Sequence, residues 1–512
     1  MKKFLLILVC QGIFFLPLFA DQALISGDTK TCLDCHSSIH PGIVKDWESG
    51  LHSKNSFNNA KLKDQPARRV SSLKAPDGLS STAIGCAECH TLNPEKHKDT
   101  FEHNGFNVHV VVTPGDCSVC HIEEVKQYGN NTMALAYGNL VNNPLYMELA
   151  DSINGLQVFS NDIIKINKPD KKTEETSCLD CHGTEVKVTG SIKKATVMGE
   201  LMFPVLSGWP NQGVGRINPD GSMGSCASCH PRHSFSSEIA RQPYTCAECH
   251  KGMDVPAYKV YSVSKHGNIY SSENKKWDFK AYPWTVGKNF TAPTCAACHV
   301  SLVVNTEGKT IAERTHQISD RLSWRIFGLI YAHPNPKSPD TSIIRNNSGL
   351  PLPTELTGEP AEKYLIDSAE QNKRRAVMKN ICFSCHSGQW VDNHFDRFEN
   401  AIKTTNEMTL TSTRILLSAW EKGAARGLTQ KDSIFNEQIE KLWVEQWLFF
   451  ANSIRFSAAM TGSDYGVFEN GRWYMSKNMQ AMYDLLNLKS AKNCGNNDCN
   501  GKEPKGKTPA AK

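Results

Sequence analysis

Beyond its first twenty residues this 512-residue chain has no apolar run long enough to cross a bilayer, so no later segment is expected to span a membrane. It is also short of hydrophobic residues for its length, at 39%. Side chains alone would fill a core poorly at that share, so the interior is expected to hold something else. The formal net charge is only +5, with both signs interspersed. That argues against a nucleic-acid binder, which needs a basic face. Strand-like alternation is missing, and periodicity of any kind is weak between residues 32 and 299.

What the chain has in excess is one motif, Cys-x-x-Cys-His, eight times over. The pairs are Cys32 and Cys35, Cys86 and Cys89, Cys117 and Cys120, Cys178 and Cys181, Cys226 and Cys229, Cys246 and Cys249, Cys295 and Cys298, and Cys382 and Cys385. The histidines that follow are His36, His90, His121, His182, His230, His250, His299 and His386. This is the attachment signature of c-type haem. The two thiols add across the haem vinyl groups, and the adjacent histidine then lies under the iron. Paired CxxC motifs also build zinc ribbons, and cysteine pairs build disulfide frameworks. Neither asks for a histidine after every second cysteine. Eight covalent haem c groups, each a large apolar plate, also account for the missing hydrophobic side chains.

The ends fit that reading. Met1-Lys2-Lys3, an apolar stretch from Phe4 to Phe19 and a small Ala20 describe a secretory signal peptide over residues 1–20, with Cys10 inside it. Export to the periplasm is expected, since c-type haem is attached outside the cytoplasm. Residues 491–512 form a polar tail that is expected to be disordered. Its Cys494 and Cys499 either pair in an oxidising compartment or stay free.

Between the ends, residues 21–395 read as the haem-binding catalytic region, built of loops and short helices. Gly199 to Gly224 reads as a turn-rich ordered loop. Glu313 to Tyr331 reads as a helix that Pro334 and Pro336 end. Residues 396–490 read as a C-terminal helical domain suited to oligomerisation. There Phe435, Ile439, Leu442, Trp443, Trp447, Phe450 and Ile454 recur at steps of three and four, which marks one apolar stripe. It faces either the protein's own core or an oligomer seam. The fold class expected is mainly α, a multihaem cytochrome with a haem-rich N-terminal part and long C-terminal helices.

Electron-transfer haems take a second axial ligand, usually His or Met. Ten histidines lie outside the motifs. Eight would cap every iron, and seven would leave one iron face open. By position His52, His103, His109, His233, His266, His316 and His394 are the candidate distal ligands. His40, His97 and His333 read equally as surface residues or as hydrogen-bonding partners near haem. In a chain of this size, with a radius of gyration of roughly 23 Å, the irons would be close neighbours and act as a wire and an electron reservoir.

The motif count and the text between motifs resemble the octahaem cytochromes of the hydroxylamine oxidoreductase family. The resemblance rests on residues 41–52 (PGIVKDWESGLH), 110–121, 229–250, 264–270 and 332–342. It covers residues 30 to 490. No motif ends in lysine, unlike the pentahaem nitrite reductases and the octahaem tetrathionate reductases. The family implies that the fourth haem, held by Cys178, Cys181 and His182, keeps an open face and is catalytic. It implies an Asp–His pair and a tyrosine beside that face. Asp254 matches the acid and Tyr331 the tyrosine, but Val255 stands where the histidine would be. A tyrosine from a neighbouring subunit is joined to the active haem in the oxidative enzymes; Tyr465 and Tyr474 lie in that region. The expectation is a periplasmic enzyme that reduces nitrite through hydroxylamine to ammonium. Hydroxylamine oxidation is the alternative, and pure electron transfer the second. A homotrimer and a redox partner, such as a membrane quinol-oxidising cytochrome, are implied with it.

Overall fold

The protein is described by a computed structural model over residues 23–496. The signal-peptide segment, Cys10, Cys499 and the last part of the tail lie outside these residues. The chain is 47% helical and 13% strand, in keeping with a mainly helical fold.

The motifs shape the first half. Residues i, i+3 and i+4 share one face of a helix. A Cys-x-x-Cys-His written as one helical turn therefore points both thiols and the imidazole the same way. Cys86–His90, Cys178–His182 and Cys295–His299 are each such a turn. The first motif lies in a longer helix, Gly27–Ile39, whose N-terminus Ser26 caps by accepting from the amide of Thr29. The turns are strung together by loops and small antiparallel hairpins, 100–109, 156–167 and 187–207.

Side chains do not fill the space these turns surround. A connected cavity of about 1360 Å³ runs through the N-terminal part. Close-packed interiors tolerate few voids much larger than a water molecule. Residues of the second through eighth motifs line it. The low hydrophobic content thus has its counterpart in empty volume ringed by thiols and imidazoles.

The C-terminal part packs conventionally. The helix Gly388–Glu421 runs unbroken across position 395 and packs beside the helices Gln438–Val444, Ala451–Met460 and Arg472–Asn496. The apolar stripe resolves as core. Ile439, Trp443 and Trp447 are wholly buried, and Phe435, Phe450 and Ile454 nearly so. They pack within the chain rather than along a seam. Trp443 also donates to Thr413 Oγ1 at 2.9 Å, so its ring nitrogen is satisfied in the core.

Two local expectations fail. Residues 313–331 hold only a short 3₁₀ turn at Ile318–Arg321 and a two-residue strand. The Arg321 side chain sits inside and donates to the carbonyls of Ala297, Cys298, Ser301 and Glu313, which ties the segment to the seventh motif instead of letting it coil. The expected loop at 199–224 begins as a nine-residue strand, Gly199–Ser207, paired with Lys187–Thr196. Much of this hairpin is solvent-exposed, so no one-sided burial imposed an alternation visible in the sequence.

Candidate haem centres

An imidazole bound to a metal puts its nitrogen about 2 Å from the ion and its ring centre about 1 Å further back, so two rings flanking one iron have centres about 6 Å apart. Five pairs of one motif histidine and one other histidine meet that spacing, among them His90 and His109 at 6.0 Å. His36 lies 6.1 Å from His103 and His121 lies 6.2 Å from His52. His230 lies 6.5 Å from His316 and His386 lies 6.1 Å from His266. Burial pushes His52, His230, His299 and His316 down to about 4. They are neutral at pH 7, the form that binds metal. The Nδ1 atoms of His103, His299 and His316 are buried without a partner. Paired neutral imidazoles around an unfilled cavity fit haem c held by the motifs.

The motif histidines are oriented from behind. His90 Nδ1 lies 2.8 Å from the carbonyl oxygen of His109, and His182 Nδ1 lies 3.3 Å from that of Ala136. Such contacts fix the ring and the tautomer, leaving the other nitrogen for the iron. His36 uses a side chain instead: its Nδ1 is 2.9 Å from Nδ1 of exposed His40.

The structure places His109 differently from the sequence reading. Its Nε2 lies 3.1 Å from the Leu92 carbonyl and its Nδ1 3.3 Å from that of Val111. Its ring stacks on His97 at 3.6 Å. Although its ring centre is 6.0 Å from that of His90, both ring nitrogens lie beside backbone carbonyls, and its own carbonyl supports His90 from the proximal side. The charge of His90 bears on His233. His233 adopts φ +68°, uncommon for a side chain with a Cβ.

His333, which position alone did not single out, has the attributes of a ligand. It is buried, its Nδ1 lies 2.7 Å from the carbonyl oxygen of Pro334, and burial holds it neutral, near 3. His394 is buried, lines the cavity and stacks on Trp390, which in turn stacks on His386. The charges of His266 and His386 bear on His394, and those of Arg325 and Arg455 on His333. The signal missed in sequence was the local His-Pro geometry, because a carbonyl one residue on fixes the ring of His333.

The fourth motif is set apart by the charge beside it. Among the described residues no histidine outside the motifs forms a ring pair with His182, nor with His250, whose ring meets Phe327, nor with His299. The charged groups that bear on His182 are Asp254 and Arg325, and both line the cavity there with Val255, Ile326 and Phe327. Asp254 is fixed through its backbone, whose carbonyl accepts from Asn452 at 2.8 Å. Behind the motif the chain passes too close for any residue but glycine. Gly183 has φ +95°, and a Cβ there would strike the backbone of Arg216. Arg325 carried no sequence signal, being one basic residue among many.

Tyr331 is not at this face. Its hydroxyl is engaged with the carbonyl of Leu356 at 2.8 Å and with Thr413 Oγ1 at 3.1 Å, inside the C-terminal core. Tyr465 packs on Val260 and Phe456, and Tyr474 stacks on Phe450. Neither lines the cavity within the chain.

Known proteins agree with this architecture. Residues 220–328 match a family model described as seven times multi-haem cytochrome CxxCH. A solved structure titled "Hypothetical multiheme protein" is 41% identical, covers 93% of this chain and 98% of its own, and superposes with a TM-score of 0.87. The Kuenenia stuttgartiensis reducing HAO-like protein complex is 17% identical over 91% of this chain and 85% of its own, with a TM-score of 0.59. A "Probable nitrite reductase-hydroxylamine oxidoreductase fusion protein" of Kuenenia stuttgartiensis is 24% identical over 384 residues. Those residues are 71% of this chain and 35% of that protein, so the chain spans about a third of that relative's length. The chain belongs to the multihaem c-type cytochromes, with the fold of the hydroxylamine oxidoreductase family.

Proposed function

We infer that the chain carries eight haems c and is a periplasmic reductase that takes nitrite through hydroxylamine to ammonium at the fourth motif. The single observation that carries this is His182, which has a carboxylate and a guanidinium on its cavity side and no partner imidazole. Haem iron bound there would supply a coordination site for a small nitrogen oxide and electrons from its neighbours.

The chain's own groups suit reduction. Arg325 offers fixed positive charge for an entering anion such as nitrite. Asp254 is the acid placed to deliver protons as the substrate gains electrons. Val255 cannot act as a base, which disfavours the oxidative direction, where protons must be removed. The paired imidazoles of the first, third, fifth and eighth motifs would hold haem from both sides, suiting those haems to electron transfer. The names of two relatives support the substrate class: one is a nitrite reductase–hydroxylamine oxidoreductase fusion, the other a reducing complex.

With the stripe buried, the homotrimer reading moves to the exposed Phe468, Trp473, Tyr483 and Leu488 at the C-terminal end. A redox partner delivers electrons at the first or eighth motif, where Cys35 and Cys385 are the exposed motif cysteines.

The test is steady-state turnover of nitrite and of hydroxylamine with a reduced dye, beside an assay of hydroxylamine oxidation, on the fully loaded protein. Ammonium formed from both substrates supports the reading. Oxidation alone, or no turnover with every iron low-spin, overturns it.

A further inference from the structure

One stretch of the cavity wall carries positive charge that the protein itself does not balance. Arg69 and Arg241 flank the ring of Tyr282, with guanidinium carbons 4.8 and 5.7 Å from its centre. All three residues line the cavity. Arg241 is buried. Its Nη1 donates to the carbonyls of Phe279 and Ala281 at 2.7 and 2.6 Å, and its Nε and Nη2 have no acceptor among the described residues. Arg69 donates to Ser237 Oγ at 2.9 Å and to the Lys280 carbonyl at 3.4 Å. Every one of these acceptors is neutral.

The nearby acids are committed elsewhere. Asp278 accepts from the amides of Lys280 and Ala281 and forms no ion pair with either arginine. Glu124 pairs with Arg314 at 2.6 Å. A guanidinium cannot shed its proton, and two of them beside one another in a cavity wall repel. Removing such charges from water is costly unless an anion meets them. The forked donors of arginine match a carboxylate best.

The surroundings say where that carboxylate belongs. The backbone of Arg69 bears electrostatically on the His121 ring, and its side-chain charge on His230; both rings line the same cavity as Arg69. The Arg241 carbonyl accepts from Thr294, which precedes the seventh motif's helix. The pair therefore sits where the third, fifth and seventh motifs meet.

We propose that Arg69 and Arg241 form a carboxylate-binding site for the propionates of the haems held by the third and fifth motifs, and so set the reduction potential of those haems. Positive charge beside an iron disfavours its ferric state. Removing it lowers the potential.

The test is a spectroelectrochemical titration of the loaded holoprotein, with haem content checked by intact mass, for wild type, Arg241→Gln and Arg241→Lys, each with and without nitrite. Arg426→Gln, at a surface arginine paired with Asp432, is the control. Expected for Arg241→Gln is a shift of one or two couples to lower potential, independent of nitrite, with a change in the propionate bending bands of the resonance Raman spectrum. Arg241→Lys restores most of the potential, and Arg426→Gln matches wild type. If Arg241→Gln does not load fully, Arg69→Gln is read in the same way. Titrations and Raman bands that superpose on wild type overturn the proposal. So does a shift seen only with nitrite, which would make this a free-anion site.

Discussion

His316 faces His230 with ring centres 6.5 Å apart and ring planes 29° from one another. The two arrive there from different directions. His230 closes the fifth motif, while His316 hangs from a loop fixed through its amide to Gln127 Oε1 and through its carbonyl to Asn131. If one iron sits between them, deleting His316 removes a single axial bond and nothing else. His316→Ala is expected to convert one haem from low to high spin. EPR of the oxidised protein would show one more high-spin centre than wild type, with unchanged haem content. An unchanged spin count would mean that His316 is not a ligand.

His333 and His109 make opposite predictions under the same measurement. His333→Ala is expected to add a high-spin centre, because a buried, neutral ring locked by the Pro334 carbonyl is removed. His109→Ala is expected to leave the spin count unchanged. It should still cost about 1–3 kcal/mol of stability, since the ring's buried contacts with Leu92, Val111 and His97 are lost. Chemical denaturation of the loaded protein reads that cost.

These histidines show what could be read in one dimension. The motifs were legible because covalent attachment demands fixed spacing, and spacing is what a sequence displays. His52 and His266 stood in polar text where an idle histidine had no apolar role, while His316 was read from a helix that does not form. His109 and His333 could not be sorted, because the difference lies in which carbonyls their nitrogens meet after folding. The same holds for the stripe ending at Ile454. Its period announced a buried helix face, but its partner, the helix Gly388–Glu421, is a tertiary fact. Tyr331 was aligned by resemblance, and a hydrogen bond to Thr413, far along the chain, takes it into the core. Arg325 and Arg241 gave no signal, since an arginine in a cavity wall spells the same as a surface one.

Asp254 and Tyr331 separate by function. Asp254→Asn keeps shape and removes the proton. If Asp254 relays protons at the fourth motif, the variant should lose a factor of about 10²–10⁴ in kcat for nitrite. Its absorption spectrum and haem content should match wild type. Tyr331→Phe removes hydrogen bonds inside the core, at a cost of about 1 kcal/mol in stability, and should leave kcat within about threefold. A large kcat loss in Tyr331→Phe with an unaltered fold would place the tyrosine back in the site.

Stability should depend on alkaline pH through His97. Burial alone would lower this imidazole, but the Asp116 carboxylate 3.2 Å from its Nε2 and the Asp99 carboxylate 3.4 Å from its Nδ1 outweigh burial and carry it up to about 9. Both acids are in turn held below the usual carboxylate range by His97 and by backbone amides. Asp99 accepts from the amides of Val110 and Val111, and Asp116 from that of Thr113, so a charged His97 clamps the approach to the third motif. With the pKa raised above its unfolded value near 6.5, the contribution is complete below pH 6.5. It is lost as the pH climbs through about 9. The full shift corresponds to roughly 3 kcal/mol. Denaturation midpoints of wild type should therefore fall between pH 6.5 and 9.5. His97→Gln should be less stable than wild type at pH 6.5 and should lack most of that fall. Parallel pH profiles for the two proteins would show that His97 is uncharged in the native state, and the clamp would then rest on the backbone amides alone.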